Sequence, residues 1–130
     1  MTVVLGADLL IGALDGDDAH HRRARVLFTS WQRQNKRRLI NVVSLTEVLI
    51  APAADRQRLR QAREAIRALG VDVHRPNEAI AVDAATLRSR HPISLADAYC
   101  LATARHAGGS VASFDARIIR AAGSEQLAAV

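Results

Sequence analysis

Four acidic residues stand where strand-like and helix-like segments meet, and their positions suggest a carboxylate cluster. They are Asp8, Glu47, Asp97 and Asp115. Three of them follow the apolar runs at residues 3–5, 39–43 and 111–113. In an alternating α/β chain the carboxyl ends of parallel strands lie at one edge of the sheet, where ligands bind. Carboxylates gathered there repel one another unless a hard cation lies between them, so the pattern indicates a metal-dependent catalytic site.

Each acid also has a simpler explanation as a residue that caps a helix. Glu47 and Asp97 both lie three residues after a serine, which is the spacing of a capping box. Asp8 and Asp115 fit ordinary positions at helix N-termini. Taken singly, the four acids indicate helix ends more strongly than catalysis. Taken together at one sheet edge, they supply the oxygen ligands that suit Mg²⁺-assisted phosphodiester hydrolysis.

The rest of the chain alternates short strand-like segments with longer helix-like ones. Strands are predicted at residues 2–6, 39–43, 71–74 and 110–113, with residues 127–130 as a final edge strand. The longer helices are predicted at about 19–34, 55–69, 77–90 and 94–106. Ser44 is expected to cap the helix that follows the second strand. This alternation predicts a parallel sheet covered by helices on both faces.

Composition places the chain among ordinary soluble domains with a basic surface. The 130 residues are 49% hydrophobic and 24% charged, which suits one domain over residues 1–130. The single cysteine, Cys100, excludes an internal disulfide and favours a reducing cytoplasm. No signal peptide or membrane span is expected. The net charge of +5 comes almost entirely from arginine, which suits phosphate binding, although a GC-rich coding bias explains the same composition.

Two further groups of side chains have functional and structural explanations. A basic stripe repeats at helical spacing and could contact an RNA backbone or the acidic tail of a partner protein: Arg56, Arg60, Arg63 and Arg67. A solvated helix face explains the same spacing equally well. His20 and His21 are adjacent, so their side chains point in different directions, and they indicate a solvated helix start rather than a metal site.

Four segments, taken in order, resemble the PIN domain family, and more narrowly the VapC toxins of bacterial toxin–antitoxin pairs. They are residues 6–14 after the first strand, 44–49 (Ser-Leu-Thr-Glu-Val-Leu), 93–98 (Ile-Ser-Leu-Ala-Asp-Ala) and 113–115 (Ser-Phe-Asp). The resemblance covers essentially the whole chain. It implies a three-layer α/β/α fold with a parallel sheet of four to five strands. It also implies an endoribonuclease dependent on Mg²⁺ or Mn²⁺, often a homodimer, inhibited by a VapB-like antitoxin whose tail enters the active-site groove.

Transferred to this sequence, the resemblance makes Asp97 a principal metal ligand. Glu47 and Asp115 match the second and fourth family acids and would bind the metal or orient its waters. Asp8 matches a supporting polar position, and the first acid of the family is replaced by Gly6. Either the glycine eases a tight turn, or a carboxylate has been lost from an otherwise intact site. We favour the loss.

The departure at Gly6 lowers the activity expected of this chain. It removes what the family would make the most direct metal ligand, so weakened metal binding and RNA cleavage are expected. Asp8 would compensate in part if residues 6–8 stayed extended, because alternate side chains of a strand share a face.

Two other functions compete with the nuclease. The first is a non-catalytic PIN-like module that binds antitoxin or RNA without cutting. The second is a receiver-type phosphoacceptor domain, which also clusters acids at strand ends. That second function needs a lysine near the site, and the only lysine, Lys36, lies in a basic surface run.

Overall fold

The computed structural model describes all 130 residues and contains four strands and seven α-helices. The strands are β1 (Thr2–Leu5), β2 (Arg37–Asn41), β3 (Val71–His74) and β4 (Ser110–Ala112). The helices are α1 (Ala7–Leu14), α2 (His21–Arg33), α3 (Val42–Leu49), α4 (Arg56–Ala68), α5 (Glu78–Arg90), α6 (Leu95–Ala107) and α7 (Ala116–Ser124), with a 3₁₀ turn at Pro52–Ala54. None of these helices is both long and apolar enough to cross a membrane.

The four strands form one parallel sheet in the order β3-β2-β1-β4. β1 lies inside the sheet, where Val4 is in register with Leu39 of β2 and Val111 of β4. Residues 3–5 are completely buried. A short, continuously apolar run is what a parallel strand covered on both faces requires, so the sequence of β1 determines its central place.

Side chains alternate between two cores, one on each face of the sheet. Val4 points into a core built with α5, α6 and α7. Val3 and Leu5 point into a second core built with α1, α2, α3 and α4. This is the period of two that a strand imposes. The predicted α/β/α layering and parallel sheet are confirmed.

The second strand ends earlier than predicted, and this changes the role of Ser44. Val42 and Val43 belong to α3, whose cap is Asn41. The Asn41 side-chain oxygen accepts a hydrogen bond from the Ser44 backbone N–H at 2.9 Å, and its amide donates to the Ser44 hydroxyl at 3.0 Å. Ser44 is therefore not the cap. Glu47 lies beyond the first turn, so the capping-box explanation does not apply to it.

The C-terminal strand predicted at residues 127–130 is almost absent. Only Ala129 forms a bridge, with Val111 of β4, so the sheet has four strands rather than five. β4 is three residues long and already lies at the edge of the sheet, and the chain reaches it directly from the short turn after α7. Few residues are left to form a ladder.

A network of charged side chains connects Glu125, after α7, to residues of α5 and α6 and to His91 between them. Glu125, whose side chain is 9% exposed, accepts hydrogen bonds from Arg105 of α6 and from the His91 ring, both at 2.6 Å. Arg90 lies 3.4 Å away. The hydrogen bond from His91 and the contacts with Arg105 hold the pKa of Glu125 below its ordinary value.

Replacing Glu125 by Gln should destabilise the fold at neutral pH. We expect the free energy of unfolding to fall by about 1–2 kcal/mol, because charge-assisted hydrogen bonds are lost at a nearly buried position. The lowered pKa means that this stability exists above the ordinary glutamate pKa and disappears as the pH falls through the lower folded-state value. Urea unfolding of both proteins at pH 7 and at about pH 3 measures the difference.

The matched control is Asp72→Asn, which removes an ion pair with Arg37 whose side chains are both 62% exposed. That change should alter the free energy of unfolding by less than about 0.5 kcal/mol. Equal effects of the two substitutions at pH 7 would contradict the importance of the Glu125 network.

Candidate active site

Three of the four predicted acids lie at or near helix N-termini, and the fourth lies further along its helix. Asp8 is in the first turn of α1, Asp97 is in the first turn of α6, and Asp115 caps α7. Glu47 comes from the second half of α3. The helix N-termini favour nearby negative charge, which lowers the cost of keeping several carboxylates in one place.

Electrostatic repulsion acts between these carboxylates. Burial raises the pKa of Glu47, and the negative charges of Asp97 and Asp8 raise it further. Burial also raises the pKa of Asp97; Asp115 and Asp8 add to the rise, while the hydrogen bond with Ser94 opposes it. The site is therefore a region of concentrated negative charge.

Asp97 and Asp115 cap or support their helices while facing this region. The hydroxyl of Ser94 accepts a hydrogen bond from the Asp97 backbone N–H at 3.1 Å, as expected for a capping arrangement. The Asp115 carboxylate accepts from the Arg117 backbone N–H at 2.9 Å. That hydrogen bond is the main reason why the pKa of Asp115 is lowered. The structural and chemical explanations of these two acids hold at the same time.

Asp8 does not cap α1 but reaches across to the end of β4. Its carboxylate accepts hydrogen bonds from the Ser113 hydroxyl at 3.0 and 3.1 Å and from the Phe114 backbone N–H at 2.7 Å. The Ser113 hydroxyl in turn accepts from the Asp115 backbone N–H at 3.0 Å. These bonds fix the orientation of the Asp8 carboxylate. They also connect Asp8, the first of the four site acids, to Asp115, the last of them.

Gly6 leaves the space into which the Asp8 side chain turns. Its backbone is extended (φ −71°, ψ 157°), a conformation open to any residue, so the turn itself does not require glycine. A Cβ added at this position would lie 2.7 Å from Asp8 Oδ1. Because α1 begins at Ala7, residues 6–8 are not extended as expected. The Asp8 carboxylate still lies next to Gly6, because it occupies the volume that a side chain at position 6 would need.

The donor chemistry of the site fits Mg²⁺ or Mn²⁺, but the ligands are not fully assembled. Carboxylate oxygens that repel one another are suited to a hard cation. In the present arrangement, no three His, Cys, Asp or Glu side chains converge closely enough to form a complete ligand set. Asp8 is held by Ser113 and Phe114 instead. Asp97, Glu47 and Asp115 are thus the residues that would hold a metal, with one ligand fewer than the resemblance leads one to expect.

A groove of about 470 Å³ lies between α1, α3 and α4, and Glu47 is the one site acid in its lining. Ile11, Leu14 and Val48 form an apolar wall, Arg58 contributes a positive charge, and Asp15 and Glu47 contribute negative charges. The basic stripe predicted on α4 is exposed and lines a separate, smaller depression: Arg56, Arg60, Arg63 and Arg67. The stripe therefore lies outside the lining of the groove that contains Glu47.

Cys100 plays no part in the chemistry. It is completely buried beneath the site, and burial, with the charges of Asp97 and Asp8, raises the pKa of its thiol far above the ordinary range. A thiol that stays protonated is a poor nucleophile. The interpretation of Cys100 as a small buried side chain agrees with this position.

Sequence reasoning missed an aromatic stack beside the acids. The His20 ring lies against the Phe114 ring, with centroids 4.4 Å apart and planes inclined by 17°. The Arg23 guanidinium lies 5.3 Å from the Phe114 centroid. His20 is exposed, as predicted for a helix start, but it is stacked rather than freely solvated. The sequence offered one hint of this stack: Phe114 lies between Ser113 and Asp115 of the Ser-Phe-Asp segment, and the carboxylate hypothesis gave it no role.

Comparison with known families agrees with the geometry. The PIN domain matches residues 3–124. The chain belongs to the PIN domain family. No curated protein is significantly similar to it in sequence.

Several solved structures have the same fold as this PIN domain at low sequence identity. A toxin–antitoxin complex from Klebsiella pneumoniae is 19% identical, with a TM-score of 0.74 over 90% of this chain and 89% of that one. The Sarcin-Ricin loop cleaving toxin VapC20 of Mycobacterium tuberculosis is 18% identical, with a TM-score of 0.75 over 92% and 94%. VapBC-1 from nontypeable Haemophilus influenzae is 16% identical, with a TM-score of 0.74 over 100% and 97%.

Replacing Asp97 by Asn should stabilise the metal-free protein. A carboxylate with a raised pKa destabilises the folded state once the pH exceeds its ordinary value, so neutralising it removes repulsion with Asp115 and Asp8. We expect the melting temperature at pH 7 to rise by roughly 1–3 °C, the size that follows from relieving about 0.5 kcal/mol of partly exposed repulsion. Thermal unfolding in the presence of a chelator measures this.

Added Mg²⁺ or Mn²⁺ should reverse the order of the two proteins. A ligand that binds only the folded state raises its melting temperature, so the unmodified chain should gain stability and Asp97→Asn should gain little. The exposed Asp72→Asn variant serves as the charge-matched control and should respond to the metal as the unmodified chain does. An identical metal response in Asp97→Asn would show that Asp97 is not a ligand.

Proposed function

We propose that this PIN domain is a VapC-type toxin that cleaves RNA with Mg²⁺ or Mn²⁺, weakened by the absence of a carboxylate at Gly6. The observation that carries the proposal is the placement of Asp8, Asp97 and Asp115 at the N-termini of α1, α6 and α7, with Ser113 linking Asp8 to Asp115. Carboxylates held near one another cost stability unless a cation offsets their repulsion, which favours a cation-dependent reaction. The toxin VapC20, described as cleaving the sarcin-ricin loop, has the same fold.

Each residue of the site has a definite task in this reaction. Asp97, Glu47 and Asp115 would hold the metal ion, which when bound lowers the pKa of a coordinated water and neutralises charge on the phosphate. Ser113 and the Phe114 N–H hold Asp8 at the edge of the cluster. Arg117 lies 3.4 Å from Asp115 and offers a positive charge to the RNA phosphate beside the acids.

The groove between α1, α3 and α4 supports an antitoxin partner. Its lining combines apolar side chains with Arg58, Asp15 and Glu47, which suits an amphipathic segment that carries both charges, and an occupant would lie against Glu47. The structure from Klebsiella pneumoniae is described as a toxin–antitoxin complex. A VapB-like antitoxin, together with a homodimeric toxin in a cytoplasmic setting, completes the proposal.

A non-catalytic PIN-like module is the second candidate, and a specific observation favours it. No three potential ligands converge, and the Asp8 carboxylate is engaged in hydrogen bonds to the end of β4. Such a protein would bind antitoxin or RNA in the same place without cutting. Calorimetric titration with Mn²⁺, followed by an RNA cleavage assay, separates the candidates, since only the nuclease combines metal binding with cleavage.

Restoring the missing carboxylate should increase RNA cleavage. A Cβ at Gly6 would press on Asp8, so the best test joins Gly6→Asp with Asp8→Ser, which frees the space. We expect the double variant to cleave total RNA at least about tenfold faster than the unmodified chain with Mg²⁺, which corresponds to about 1.4 kcal/mol of transition-state stabilisation. The single variant Gly6→Asp should gain less, because two carboxylates then compete for one place. Mapping the ends of the cleaved RNA gives the rates and the cleavage sites.

Variants of the remaining acids provide the control. Asp97→Asn in the double variant should remove cleavage again, which excludes contaminating ribonuclease. If the unmodified chain, Gly6→Asp and the double variant all cleave equally fast, Gly6 is not the reason for any weakness and that part of the proposal is wrong.

A further inference from the structure

One exposed group beside the acids has no task in the reaction described above. It consists of His20, Phe114 and Arg23, three planar side chains brought together from the start of α2 and the end of β4. Phe114 is half-buried and packs against the core on the α1 side of the sheet, whereas His20 and Arg23 are exposed. Packing against the core explains the position of Phe114. It does not explain why the His20 ring and the Arg23 guanidinium lie over the Phe114 ring.

The stack is rigidly attached to the acidic site. Phe114 stands between Ser113 and Asp115, and its N–H donates to Asp8 at 2.7 Å. A molecule that touches this ring therefore lies close to Asp8 and Asp115, two of the four acids.

The partners of Phe114 on α2 are also held in position. The His20 backbone N–H donates to the Asp18 carboxylate at 2.8 Å. The ring of the next residue, His21, forms a hydrogen bond with the Gly12 carbonyl, also at 2.8 Å. The start of α2 is thus fixed to α1, and the His20 ring is presented at the surface in a defined orientation.

We propose that His20, Phe114 and Arg23 form a stacking site for a nucleobase of the RNA strand whose phosphate lies at the acids. Aromatic rings and arginine planes are the side chains on which unpaired bases stack. α2 also carries Arg22, Arg25 and Arg33 along a groove that neither His20 nor Arg23 lines, so the same helix offers further positive charge to the backbone of a bound strand. This inference rests on the proposed function and assigns the substrate contact outside the acids.

Stacking makes the contact dependent on the base, whereas charge makes it dependent only on phosphate. A short single-stranded oligoribonucleotide carrying one 2-aminopurine distinguishes the two, because stacking quenches the fluorescence of that base. Binding is measured with a chelator present, so that no cleavage occurs. An otherwise identical oligoribonucleotide that is abasic at the same nucleotide supplies the reference.

His20→Ala should weaken binding of the base-containing RNA by about tenfold, which corresponds to about 1.4 kcal/mol of stacking. The same substitution should leave binding of the abasic RNA unchanged and should reduce the fluorescence quenching. His20→Tyr, which keeps a planar ring, should restore both affinity and quenching. Arg23→Ala should weaken binding of the base-containing RNA more than binding of the abasic RNA and should reduce the quenching, because it removes a planar group from the stack. Its charge-matched control is Arg33→Ala, at the far end of α2, which should affect the two RNAs equally and leave the quenching unchanged.

Equal affinity of the unmodified protein and His20→Ala for the base-containing RNA would overturn the inference, as would an equal loss on both RNAs. A melting temperature of His20→Ala close to that of the unmodified protein shows that the variant is folded. Quenching that depends on His20 without metal-dependent cleavage would reject the nuclease but keep the stacking site. Cleavage that is unaffected by His20 in the restored double variant would reject the stacking site alone.

Discussion

The burial of β1 on both faces is the constraint on which the rest of the structure depends. Val3, Val4 and Leu5 are shielded by helices on either side and by a parallel strand on each edge. Parallel connections require a helix between strands, so every chain segment that leaves the sheet at its carboxyl edge must turn into a helix there. The helices that follow the strands, α1, α3, α5 and α7, consequently begin at that edge, whereas α6 follows α5. Asp8 of α1 and the cap Asp115 of α7 are thereby linked through Ser113, although they lie far apart in the sequence.

The Asp8 carboxylate lies in the space that a side chain at position 6 would need. The absence of a side chain at Gly6 gives the Asp8 carboxylate a place to lie, and Ser113 and Phe114 fix it there. The negative charge near the end of β1 is thereby retained, as its effect on the pKa of Glu47 shows. The position of that charge is nevertheless set by hydrogen bonds to β4 and not by the ion that the cluster would bind.

The sequence predicted most of the fold because the strands are short, apolar and bounded by clear turns. It failed where local signals competed. Val42 and Val43 have strand-like side chains, but Asn41 forms a better cap and begins α3 at once. The capping explanation of Glu47 disappeared with that shift, which the spacing to Ser44 had concealed. The stack of His20 on Phe114 joins residues far apart in the chain, and no pattern along the sequence encodes such a contact.

The segment from Ser113 to Asp115 combines three tasks because it ends a strand at the crowded edge of the sheet. Ser113 is buried and divides its hydroxyl between the Asp8 carboxylate and the Asp115 N–H. Asp115 turns outward, where Arg117 keeps it ionised and available. Phe114 places its N–H on Asp8 and its ring against His20. Since successive side chains leave an extended backbone in different directions, three adjacent residues can contact the interior, the acids and the surface. The local backbone geometry thus couples the carboxylates to the surface on which a substrate would lie.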